Sequence, residues 1–259
     1  MKIDITGRFI AVWQRNLTVY RESWKINFMP PLLEPLFYLA AFGIGFSGLI
    51  GSVRYGDVEV SYVSFIAPAL IAVNIMNNSF FENTFASFVR MYYQKTFDAM
   101  MATPLTVAEI ITGEIVWGAT KAAIATTIMM IVIGFFGLLN YTAAPLIILI
   151  AFLGGMAFGS TGMIFTASVK TIELFNLPVF LFITPMFLFS GTFFPLANLP
   201  WWAQYLALAL PLTHLTNVLR GLNFGQYNAD VFAGICYLLL FNAVVFPVAL
   251  RKMKRRLIK

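Results

Sequence analysis

Two ionisable residues set in apolar stretches are the first candidates for chemistry, Glu82 and Lys121. Asn74, Asn78 and Glu82 stand four apart, so on a helix they share one stripe, with Asn77 next to it. Polar side chains at membrane depth must face protein or water rather than lipid. The stripe is therefore either a wall of a transport path or a row of interhelical hydrogen bonds. Lys121 lies two turns inside the next apolar run, where it either snorkels to the interface or pairs with Glu82 or Glu34. A pair in protein surroundings is the expectation, because an ammonium facing lipid is expensive. Glu34 either complements a helix N-terminus or has a functional role.

Most catalytic chemistries lack their parts. There is no lysine-bearing phosphate loop, no H-E-x-x-H, G-x-S-x-G or CxxC, and no carboxylate pair on one catalytic element. Residues 43–48 match GxGxxG formally but follow no strand, and are read as close helix packing. His214 is the one histidine, and without two further ligands it is no metal site; a structural hydrogen bond is expected. Cys236, the one cysteine, is expected to be a small buried hydrophobe. An intramembrane lipid-modifying enzyme built on Glu82 and His214 would need them together, yet they are expected on opposite sides of the membrane. The chain reads as a conduit with no catalytic site and no bound cofactor or metal of its own.

The elements that would position these residues follow from composition. With 60% hydrophobic residues, 11% charged residues and a mean hydropathy of +0.82 over 259 residues, the chain is a polytopic membrane protein. A span needs about 20 mostly apolar residues. Residues 1–259 form one all-α transmembrane domain in this reading, with six spans at 28–50, 62–85, 115–138, 143–167, 174–194 and 229–250.

Before the first span, Ile5, Phe9, Val12, Trp13, Leu17, Tyr20 and Trp24 recur at spacings of three and four with arginines between them. Residues 1–27 are thus expected to form an amphipathic interfacial helix, and to be retained, since no apolar signal core with a cleavage site occurs there. Residues 51–61 read as a short outer loop. Gly154, Gly155, Gly159, Ser160 and Gly162 in the fourth span permit close helix approach. Residues 195–224, broken by Pro195, Pro200 and Pro211, are too apolar for an ordinary loop. A partly re-entrant outer hairpin is expected, with Trp201 and Trp202 at the interface and His214 and Arg220 on the second limb. Net charge is +6, concentrated before the first span and after the last. That placement argues for both termini in the cytoplasm rather than for nucleic acid.

Between spans two and three, residues 90–118 are too polar for a bilayer and read as the place where the protein meets something soluble. Here the motifs become recognisable: VWQRN and VYR before the first span, EPLFY within it, KTFDAMMATPL and GEIVWGATKA around the third, FLFSGTFFP ending the fifth, and LPLTHLTNVLRG before the sixth. The chain resembles the ABC-2 permeases, the membrane subunits of type-2 ATP-binding-cassette exporters. Within these it is most similar to the branch exporting nodulation-type lipo-oligosaccharides and daunorubicin-like drugs.

The resemblance implies a homodimer in the bacterial inner membrane, meeting through spans one and five, that docks two copies of a separate ATPase carrying ATP and Mg. It implies a coupling helix at 96–103, ended by Pro104, with Thr96, Phe97, Asp98, Met100 and Met101 in it. Phe97, Met100 and Met101 give an apolar ridge suited either to docking in a groove or to lying on lipid. It also implies a lateral gate near the interfacial helix and the inner end of span one, where Arg21 and Glu34 lie. The cargo would be amphiphilic: a glycolipid, lipo-oligosaccharide, polysaccharide or hydrophobic drug. The 27 Phe and 10 Tyr suit an acyl or aromatic part. A membrane anchor or receptor for a cytoplasmic ATPase, without transport, is the alternative.

Overall fold

The computed structural model describes residues 5–45, 51–56 and 58–258. The first helix, α1 (Phe9–Glu22), breaks at Ser23 and passes into α2 (Trp24–Gly45), which carries Pro30, Pro31 and Pro35 inside it. Beyond it β1 (Ser52–Tyr55) and β2 (Val58–Ser61) pair antiparallel. Arg54 stands opposite Glu59 in that register, and Gly56 turns the chain with a φ of +57°, which costs a glycine little. The outer loop read from the sequence is therefore a hairpin. Its Val53, Tyr55 and Val60 pack on the main core, and that contact holds so short a ribbon in place.

The central helix is α3 (Tyr62–Phe81), started by the Ser61 side chain accepting the Ser64 amide. Phe65, Ile66, Ile71, Met76 and Phe80 bury it on several sides. The helical run continues to Tyr93 through two widened turns with i→i+5 character, Glu82–Ala86 and Val89–Tyr93. Lys95 then takes a left-handed conformation (φ 56°), and the short α4 (Thr96–Met101) follows.

A capping box starts α5 (Val107–Phe135): Thr106 accepts the Glu109 amide while Glu109 accepts the Thr106 amide. Its end is set by Gly137 at φ +71°, with Gly137 N–H donating to Gly134 and Leu138 N–H to Ile133. Next come α6 (Ala144–Ser168), then a rod assembled from a tight turn, α7 (Asn176–Pro178), a widened turn and α8 (Thr184–Phe189). The last helices are α9 (Trp201–Leu208), α10 (Pro211–Phe224) and α11 (Ala229–Leu257).

Helices α3, α5, α6 and α10 enclose the larger core, while Phe88, Phe97, Phe175 and Met253 centre a second core at the end of the bundle that carries α4, here the basal end. The glycines of α6 explain how closely the helices approach. A Cβ on Gly155 would lie 2.7 Å from Ala119 Cα, and one on Gly159 would meet Asn83 and Ser79 at 2.8 Å.

Among the described residues, five helical runs are long and apolar enough to cross a membrane: Tyr62–Tyr93, Val107–Phe135, Tyr141–Ser168, Ile172–Phe189 and Ala229–Leu257. The 22-residue α2 stands where the first span is expected but is not among the five, and residues 46–50 lie outside the described residues. Helix ends depart from the expected spans for local reasons. The second run passes 85 because the widened turns keep it helical, and the third starts at the Thr106 cap rather than at 115. The fifth stops at Phe189 rather than 194, where Gly191 turns at φ +72°. The helix expected at the interface ends at Glu22, since residues 24–27 already belong to α2. The segment 195–224 folds as two helical limbs, α9 and α10. Cys236 is exposed on α11 rather than buried.

Close packing at α6 yields a testable outcome. Because the obstacle at Gly155 is backbone, Gly155→Val should destabilise the protein by about 1–3 kcal/mol. It should appear as a lowered thermal midpoint in detergent, whereas Gly7→Ala, with open space around it, should leave the midpoint unchanged.

Candidate functional site

At the basal end, four oppositely charged side chains from two helices meet. Arg90 Nη1 donates to Glu82 Oε1 at 2.8 Å, and its Nη2 and Nε donate to Glu114 Oε2 at 2.6 and 2.9 Å. Lys121 Nζ donates to Glu82 Oε2 at 2.9 Å. Neutral donors complete the shell: Trp117 Nε1 to Glu82 at 3.1 Å, Ser87 Oγ to Glu114 at 2.7 Å, and Asn16 Nδ2 to Glu114 at 2.8 Å. Glu114 is wholly buried and Glu82 is 6% exposed. Two carboxylates against two cations leave no net charge in this desolvated volume, and each carboxylate accepts at least three hydrogen bonds. That is the condition under which buried ions are tolerated.

Helix geometry determines who meets whom. On a regular α-helix, positions 82 and 90 would be about 80° apart around the axis. The widened turn Glu82–Ala86, which lies between them, absorbs about one extra residue, which leaves the two side chains about 20° apart, on one face. On α5, Glu114, Trp117 and Lys121 fall at i, i+3 and i+7, one stripe facing α3. That spacing is visible in the sequence and would have flagged Glu114 and Trp117. Arg90 was hidden because an ordinary helix would point it elsewhere, at the place where the chain is expected to leave the membrane.

The network also ties in α1. Arg15 donates to Asn16, which holds Glu114, and Trp13 Nε1 donates to Thr120 at 3.0 Å. Tyr20 packs edge-on against Trp117, and Val12 fills the space over Gly113. Ahead of α1, Arg8 Nη1 donates to the Pro104 carbonyl at 2.9 Å, and Thr6 bonds Glu109. One end of α1 is thus latched to the turn after α4 and the middle to the ion network. Beside the network a cleft of about 460 Å³ opens between α1, the start of α2 and the basal end of α3; Arg15, Val19, Phe85, Gln94, Trp117 and Lys121 line it.

The other residues singled out by the sequence separate into distinct neighbourhoods. Asn74 donates to Glu34 at 3.3 Å, tying α3 to α2. Asn78 turns back to the Asn74 carbonyl of its own helix, and Asn77 is half-buried. Arg21 is exposed in the last turn of α1 and forms no ion pair with Glu34 among the described residues. Trp201 and Trp202 are exposed on α9. His214 bonds the Leu208 carbonyl at 2.8 Å and stacks on Tyr237, in a network separate from that of Glu82. Arg220 is buried, donates to the carbonyls of Phe65 and Thr192, and lies over the Phe65 ring, clamping α10 to α3.

In α4 the expected outward ridge needs correction. Phe97 is fully buried in the basal core, and Met100 and Met101 are half-buried against it. A six-residue helix has one apolar face, and that face is used to seat α4 on its own protein. The outward surface is Lys95, Asp98, Ala99, Ala102, Thr103 and Pro104, with Thr96 partly covered.

These features define a multi-span helical membrane protein whose buried charges join helices at one end, next to an exposed connecting helix. Residues 7–224 match the family model of the ABC-2 type transporter. Nodulation protein J of Rhizobium leguminosarum bv. viciae is 35% identical over 251 residues, 97% of this chain and 95% of the relative. Nodulation protein J of Rhizobium meliloti (strain 1021) is 33% identical over 249 residues, 96% and 94% of the two chains. The inner membrane transport permease YadH of Escherichia coli (strain K12) is 24% identical over 211 residues, 81% and 80% of the two chains. The chain belongs to the ABC-2 type transporter permease family. Membership implies an ABC ATPase partner in general.

Removing one member of the network should expose its cost. Glu114→Ala leaves Arg90, Ser87 and Asn16 without their acceptor and should destabilise the protein by about 3–5 kcal/mol. Unfolding in mixed micelles measures this, and Glu173→Ala, at an exposed carboxylate, should unfold like the wild type.

Proposed function

We propose that this chain is the membrane-spanning subunit of an ATP-driven exporter, moving an amphiphilic substrate out of the cytoplasm or inner leaflet. Two copies form the permease, α2 supplies the first of six spans in each, and both termini face the cytoplasm of a bacterial inner-membrane protein. ATP and Mg bind the partner ATPase, two copies of which dock at the α4 segment. The observation that carries this reading is the placement of α4. It projects an outward surface of small and polar residues, yet its root is fixed through Phe97 and through Arg8 to the elements of the ion network. Motion imposed on that surface reaches α1, α3 and α5 together.

The cleft is lined by Lys121 and Arg15 together with Val19, Phe85 and Trp117, a mixture of polar and apolar side chains that suits the head of an amphiphile such as a glycolipid or lipo-oligosaccharide. The resemblance of the sequence to the branch exporting nodulation-type lipo-oligosaccharides and daunorubicin-like drugs points to the same class of cargo. A cycle of this kind needs contacts that differ between two states. In it, closure of the ATPase pair shifts α4 and the helices joined to it, and the path changes its accessibility.

Coupling is tested on the outward face alone. Ala99→Arg with Ala102→Arg should reduce substrate-stimulated ATP hydrolysis of the reconstituted complex to its unstimulated level, with membrane insertion intact. Normal stimulated turnover in that variant would contradict the docking site. Phe97→Asp is a different experiment, because it places a carboxylate in the basal core and should lower folded yield.

A further inference from the structure

A second hollow, of about 930 Å³, opens at the basal end beside α4. Lys95 reaches it from the turn before α4, Lys170 from the connection after α6, and Lys252, Arg255 and Arg256 from the last turns of α11. Five cations from three separate stretches of chain thus converge, with Asp98 the single carboxylate in the lining. Asp98 lies 3.9 Å from Lys95, with side chains 57% and 66% exposed, so the pair is weak and leaves the ammonium available. Lys170, Lys252 and Arg255 enter no ion pair among the described residues. Arg256 has a different task. It donates to the Thr166 and Val169 carbonyls at the end of α6, which fixes the wall of the hollow.

The depth of the hollow identifies what can reach it. At 1.5 Å per residue, the 29 residues of α11 span about 43 Å, against about 30 Å of hydrocarbon. The apolar part of α11 ends at Leu250 and its basic residues begin at Arg251, so Lys252 and Arg255 emerge at the level of lipid headgroups. A concave basic site at that level is within reach of lipid headgroups. We propose that it binds the phosphodiester of an anionic phospholipid. Basic pockets between helices at the headgroup level take such lipids, with each Lys or Arg near the surface contributing. Lys95 adds a consequence, since its left-handed backbone sets the angle at which α4 leaves α3. A phosphate held there braces α4.

If the basic tail served only to orient the chain in the membrane, which of its residues were neutralised would not matter. The test therefore compares two double variants of equal charge in the full-length protein, with native mass spectrometry counting retained phosphatidylglycerol against phosphatidylcholine. Lys252→Gln with Arg255→Gln should weaken phosphatidylglycerol binding roughly tenfold or more. Arg251→Gln with Lys254→Gln, at residues outside the lining, should keep the wild-type preference. Equal losses in both variants, or none in either, would overturn the site. Inorganic phosphate forms a second arm: displacement of the lipid by millimolar phosphate would make the ligand a soluble anion and overturn the lipid assignment. Adding the ATPase subunit forms a third, since complete loss of the lipid on docking would make the hollow a protein contact. The lipid count on the permease alone is independent of transport.

Discussion

An ionised carboxylate cannot be taken out of water unless something of opposite charge goes with it, and the basal end of this protein is arranged by that constraint. Glu114 is wholly buried and Glu82 nearly so, and Arg90 and Lys121 must accompany them. Removing any one of the four leaves the others uncompensated, so the helices that carry them keep a fixed relation. The network discriminates between arrangements more than it adds net stability. Sliding α3 along α5 by a turn would separate both pairs, whereas purely apolar packing tolerates small shifts.

Satisfying that constraint shapes the backbone around it. The widened turn just after α3 rotates Arg90 onto the face of Glu82, at the expense of regular α-helical hydrogen bonding. Glycine at 118 lets Asn83 lie where a Cβ would be, and Gly155 and Gly159 let α6 close over the same region. Through Asn16 the network reaches α1, and through Arg8 α1 reaches the turn after α4. In the proposed exporter these links make the docking surface, the interfacial helix and the cleft beside Lys121 parts of one body. Both ends bias one packed element, and no separate wire of residues is needed.

Much of this is legible in the sequence, for reasons that also mark where legibility stops. Apolar runs of span length identify the long helices because the bilayer sets their length and composition. Close packing at the glycines of α6 follows from small residues at a spacing of four. The depths of Glu82 and Lys121 point to their pairing, and the structure places them at 2.9 Å, whereas Asn74 turns to Glu34 on α2 and Asn78 to its own helix. Arg90 was not legible, because its partner depends on departures from α-helical pitch that no local pattern announces. Glu114 was legible in its spacing to Trp117 and Lys121, but it sits in a stretch whose polarity read as solvent exposure. Phe97 shows the converse limit: an apolar ridge on a short helix does not say which protein it faces. The hairpin at Ser52–Ser61 is held by tertiary contacts, and exposed Cys236 lies on a face whose covering is outside the chain.

The central claim is that α1 and the α4 segment move as one body because the ion network and its latch join them. Spin labels at Thr18→Cys and at Tyr93→Cys, the root of the α4 segment and outside its docking face, in a Cys236→Ser background, would report it by pulsed electron resonance in nanodiscs with the ATPase bound; both positions are exposed. The account predicts that the distance distribution between the two labels is the same without nucleotide and with ATP trapped, and that it broadens when Glu114→Ala is added. A distance that shifts on ATP binding with the network intact would contradict it.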